Sequence, residues 1–111
     1  MKRAVFALAI AAAALFAGLP ANAEVPRFHF SISNEFGSNI DVLVTKGPVH
    51  YPWMVRKGET GKHSIIIAPG AALLEVTCRI KSSRHPLDLR SWEPNISVAV
   101  DDNCRLQVEY H

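Results

Sequence analysis

Apolar and polar residues alternate with a period of two along most of the chain beyond residue 24. Phe28, Phe30 and Ile32 alternate with His29, Ser31 and Ser33, and Ile40, Val42 and Val44 alternate with Asp41, Leu43 and Thr45. A period of two sends successive side chains to opposite faces of a strand, so each run is expected to be a strand with one face in a core. The most regular alternation spans Leu73 to Lys81, where Leu74, Val76, Cys78 and Ile80 share one face. Ile96, Val98 and Val100 repeat the pattern, as do Leu106, Val108 and Tyr110 with Cys104 in the same phase. Asp101-Asp102-Asn103 separates these last two runs and predicts a hairpin. Ser64 to Ala68 is a continuous run rich in β-branched residues, consistent with a strand buried on both faces. Trp53 and Val55 suggest a short strand after Pro52. Leu87 and Leu89 suggest a short edge strand, preceded by a polar loop from Ser82 to Pro86.

Turn signals recur between the runs: Gly37-Ser38-Asn39, Lys46-Gly47-Pro48, Lys57 to Gly61, Pro69-Gly70 and Glu93-Pro94-Asn95. Seven or eight short strands with regular turns, and no helical period, predict an all-β fold. A small antiparallel β-sandwich of about seven strands, arranged like an immunoglobulin domain, is the first expectation; a small barrel is the second. Trp92 lies between the two cysteines, which meets the Cys…Trp…Cys order of true immunoglobulin domains loosely and at short spacing. The expectation therefore concerns architecture alone.

The first 23 residues depart from this pattern. Lys2 and Arg3 precede an apolar run from Ala4 to Leu19, Pro20 breaks it, and Ala21-Asn22-Ala23 supplies small residues where a signal peptidase reads. The run is shorter than the roughly 20 residues that span a bilayer. Residues 1–23 are expected to be a cleavable signal peptide and 24–111 a single domain; an uncleaved anchor is the alternative. No cysteine follows Ala23, so the lipidation site of a bacterial lipoprotein is missing. The short, Ala-rich leader points to the periplasm, with secretion to the medium as the alternative. Lys2 and Arg3 also account for the whole formal charge of +2, and residues 24–111 are formally neutral. A neutral domain lacks the basic stripe that nucleic-acid binding or an anionic membrane surface requires.

Cys78 and Cys104 are the two cysteines of the chain. An even count in an exported protein predicts a disulfide, and both cysteines share parity with core-facing residues. A thiol pair for redox or metal chemistry is the rival. The spacing is too long for C-x-x-C, and no histidine adjoins either residue.

Chemical motifs are sparse. His29, His50, His63, His85 and His111 are scattered. His50 and Met54 are the best residues for a periplasmic metal (copper) or small-ligand site, but such a site needs three or four converging ligands. His63 and Ser64 are neighbours on a strand, face opposite ways, and cannot by themselves form a nucleophile–base pair. Neither a G-x-S-x-G elbow nor an H-E-x-x-H motif occurs. Asn95-Ile96-Ser97 matches a glycosylation pattern that is idle in a bacterium. The chain is expected to be non-enzymatic and to carry no cofactor.

Two segments stand out. Residues 48–57 contain His50, Tyr51, Trp53, Met54 and Arg56; residues 84–94 contain Arg84, Arg90 and Trp92. Each reads as a loop stiffened by proline with Trp near Arg. These residue types are enriched at binding hot spots, and a stiff loop loses less entropy on docking. The competing role for Trp53 and Trp92 is core packing. About a dozen residues also resemble periplasmic lysozyme inhibitors: Trp53 with Lys57-Gly58, and Asn103-Cys104-Arg105-Leu106. The Trp to Lys-Gly spacing is longer here and both cysteines follow the loop, so the resemblance stays local. The functional expectation is an inhibitor or immunity-type protein that binds and neutralises another exported protein, a hydrolase or toxin. A metal or small-ligand binder and a structural envelope domain are the alternatives.

Overall fold

A computed structural model describes residues 25–111; the expected signal peptide lies outside them. Eight strands follow in order: β1 (Arg27–Asn34), β2 (Ile40–Lys46), β3 (Val49–Val55), β4 (Thr60–Ile66), β5 (Gly70–Cys78), β6 (Lys81–Leu89), β7 (Asn95–Val100) and β8 (Leu106–Tyr110). They form two four-stranded sheets, ordered β8-β7-β1-β4 and β3-β2-β5-β6, packed as a sandwich. Neighbours pair antiparallel, except β1 and β7, which run parallel from His29↔Asn95 to Asn34↔Val100. The all-β sandwich agrees with the periodicity. The details differ from an immunoglobulin domain, where the first two strands pair in one sheet. Here β1 and β2 lie in opposite sheets, and there are eight strands.

The core follows from the alternation. Phe28, Phe30 and Ile32 of β1 face Ile40, Val42 and Val44 of β2, with Leu74 and Val76 of β5 and Ile96, Val98 and Val100 of β7 completing the layer. Such side chains contribute about 1.5–3 kcal/mol each on full burial. Asn34 is the buried polar residue among the described ones, and all its groups are used. Its Nδ2 donates to the carbonyls of Ser38 (2.8 Å) and Val55 (3.1 Å), and its Oδ1 accepts from Phe36 N–H (2.9 Å). It thereby folds the β1–β2 loop against the end of β3.

Two devices join the sheets covalently or through hydrogen bonds. Cys78 at the end of β5 bonds Cys104 just before β8, as the cysteine count predicts. Cys104 owes its burial to the β7–β8 turn, where its φ is 61°, and not to strand parity. At the open sides, Tyr51 of β3 donates its hydroxyl to the Ile66 carbonyl of β4 (2.7 Å). Asp88 N–H of β6 donates to the Tyr110 hydroxyl of β8 (3.1 Å). Each tyrosine thus ties the edge of one sheet to the edge of the other.

Four local expectations change. Segment 48–57 is mostly strand β3, and the polar stretch 82–86 belongs to β6. Both strands are sheet edges, where a proline costs no ladder bond if its nitrogen faces outward. Gly47, at φ 57°, makes the two-residue turn that returns β2 into β3. β4 buries one face: Ile65 is covered while Ile66 is 50% exposed. Ile80 is fully exposed because the chain reverses at Arg79-Ile80, and the alternation ends at Cys78.

Candidate functional site

The aromatic and basic residues of the two singled-out segments divide into structural and exposed groups. β3 and β6 are the two edges of one sheet, roughly 14 Å apart across β2 and β5. The segments therefore do not form one continuous loop surface.

Trp53 points into the sandwich. Its ring stacks on His63 of β4 (centroids 4.5 Å, 19°) and meets Phe30 edge-on (5.8 Å). Its Nε1 is buried without a hydrogen-bond partner. The side chain fills the gap between β3 and β4, which accounts for it by packing. Tyr51, next along the same face, is committed to the Ile66 carbonyl. Gly61 allows this closure: a Cβ there would stand 2.8 Å from Val55 Cγ2.

His50, Pro52 and Met54 occupy the other face of β3. Pro52 and Met54, with Leu43 of β2, form the apolar part of a shallow open depression of about 510 Å³, lined also by Asp41, Glu75 and Thr77. Arg84 of β6 is directly across from Glu75 and pairs with it at 3.4 Å. Both groups are partly exposed, so the pair contributes at most a fraction of a kcal/mol. His50 and Met54 are four residues apart on a strand, roughly 13 Å, and do not converge. Among the described residues no three of His, Cys, Asp or Glu gather as metal ligands. Arg56, just beyond β3, is exposed.

The turn after β6 is the most organised exposed feature. Glu93 N–H donates to the Arg90 carbonyl (3.0 Å), closing a four-residue turn with Ser91 and Trp92 at its tip. The Arg90 guanidinium bonds Asp88 (3.0 Å) and Glu93 (2.9 Å) and lies 5.6 Å from the Tyr110 ring centroid. The Asp88 bond, then the Glu93 bond, raise the Arg90 pKa above its already high ordinary value. Arg90 is thus a clamp on the turn and not a free cation. Trp92 is held at the tip with 76% of its surface exposed.

One pairing was hidden in the sequence. His29 Nδ1 and Ser64 Oγ are 2.7 Å apart on the outer face of the first sheet, brought together by the β1–β4 register. Among the described residues no side chain bonds the other ring nitrogen, so the third member of a catalytic triad is lacking. Serines 31, 33, 64 and 97 make that face polar, in contrast to the Pro52, Met54 and Leu43 surface opposite.

Compared with protein families, curated proteins and solved structures, the chain matches none of them.

Proposed function

We propose that this protein is an exported, non-enzymatic binding module that docks onto and neutralises another exported protein, a hydrolase or toxin. The observation that carries the reading is Trp92, an exposed indole on a turn fixed by its own backbone bond and by the Arg90 clamp. A large aromatic presented rigidly contributes area at low entropic cost, which is the physics of a binding hot spot. Burying an exposed tryptophan on a partner contributes about 2–4 kcal/mol when the site is central. The apolar depression around Pro52 and Met54 is a second surface of the same kind, on a different part of the molecule. Export rests on the leader, and the Cys78–Cys104 bond is compatible with an oxidising compartment.

The test is affinity capture from periplasmic extract with wild-type and Trp92→Ala baits of equal stability. The reading expects a discrete protein retained by wild type and released from the variant. Equal recovery on both baits removes Trp92 from the interface. Recovery of no protein removes the function.

A further inference from the structure

We infer that the free edge of β8 pairs antiparallel with β8 of a second copy of this chain. The inference is independent of the Trp92 surface and begins with the four sheet edges. β3 carries Pro52 at its centre. On β6 the Asp88 N–H leaves the edge toward Tyr110, so by alternation Pro86 faces the same way and has no N–H to offer. On β4 the Ile66 carbonyl is capped by Tyr51, and Lys62 stands at mid-strand. Proline, lysine and caps are among the means by which edges are closed to further strands. Among the described residues β8 is the edge with none of them.

The hydrogen-bond phase shows which groups β8 leaves open. His111 N–H donates to Asn95 (2.7 Å), Asn95 N–H returns to His111 (3.1 Å), and Asp101 N–H bonds the Arg105 carbonyl (3.1 Å). Residues 105, 107, 109 and 111 therefore bond toward β7, with the register running through Gln107↔Ala99 and Glu109↔Ser97. Leu106, Val108 and Tyr110 direct their N–H and C=O groups outward.

Charge selects the partner and the register. In a two-fold pairing centred on Gln107, Leu106 bonds Val108 of the second copy, and the reverse. Arg105 then stands opposite Glu109 of the second copy, twice, in the closely spaced non-hydrogen-bonded sites. Centring on Glu109 instead would set that carboxylate against itself. The Arg105 side chain, which also meets Asp101 at 3.2 Å in an exposed pair, is 73% exposed and that of Glu109 69%, so both are accessible.

Sedimentation velocity of the purified protein from micromolar to millimolar concentration tests this, with Glu109→Arg and the swap Arg105→Glu/Glu109→Arg beside wild type. The expected result is a wild-type dimer, a dissociation constant raised at least about tenfold by Glu109→Arg, and recovery in the swap. Glu109 is a surface position, so the single variant keeps its fold, which circular dichroism verifies. A monomer at every concentration overturns the inference. So does a dimer indifferent to Glu109→Arg, or one the swap leaves as weak as the single variant.

Discussion

Gly61 of one sheet packs directly against Val55 of the other, and substituting it tests the packing quantitatively. It lies on β4 opposite Ile32 and faces Val55, a buried residue at the end of β3. In Gly61→Ala the new methyl would meet Val55 Cγ2 at 2.8 Å and Cγ1 at 3.2 Å. Both atoms belong to a β-branched side chain whose χ1 is restricted, so they cannot turn away cheaply. Val55 also supplies the carbonyl that accepts from Asn34 Nδ2. Overpacking of this kind costs about 1–3 kcal/mol. Alanine regains about 0.5–1 kcal/mol of glycine's backbone entropy, so the net loss expected is about 0–2.5 kcal/mol. Val55→Ala alone loses two methyl groups and leaves a cavity, about 2 kcal/mol. In the double variant the alanine methyl occupies the space vacated by valine. The combined loss should then fall short of the sum by about 1–3 kcal/mol. Urea unfolding of the four proteins, with the disulfide intact, measures the cycle. Additivity within about 0.5 kcal/mol, the behaviour of independent sites, would refute the contact.

Three further outcomes follow. Cys78→Ala/Cys104→Ala should lose about 3–4 kcal/mol, the chain-entropy value for a sequence separation of 26, read as a lower urea midpoint. Tyr110→Phe should speed amide hydrogen exchange at Asp88 while costing no more than about 1 kcal/mol, since water can replace the exposed hydroxyl. Asp101 accepts Arg105 N–H first and Asn103 N–H as well, which lowers its pKa below the ordinary carboxylate value against a desolvation that raises it. Its contribution is therefore present above the unfolded pKa and lost as pH falls through the lowered folded value; NMR titration of its carboxyl should show a midpoint below the ordinary aspartate value.

The alternation made β1, β2, β5, β7 and β8 legible, because each places a clean apolar face against one core. β3 and β6 were obscured by Pro52 and Pro86, which punctuate most chains but are tolerated on an outer strand. The run through Ile65, Ile66 and Ile67 suggested two buried faces, yet β4 is an edge whose outer face meets solvent. The disulfide could be read from the cysteine count together with the expected export. The fates of the two tryptophans could not. Trp53 is covered by Phe30 and His63, which come from two strands distant in sequence. Trp92 is exposed because it sits at the tip of the turn that the Glu93–Arg90 backbone bond closes. The His29–Ser64 contact likewise depends on register, which a local pattern does not carry.

The reading of this protein as a binding module depends on what touches Trp92 inside the cell. A photo-reactive amino acid placed at position 92, with position 33 on the polar face as control, records that contact covalently. The account predicts a discrete adduct with another exported protein from position 92 and none from position 33. No adduct at position 92, or the same adducts from both positions, would contradict it.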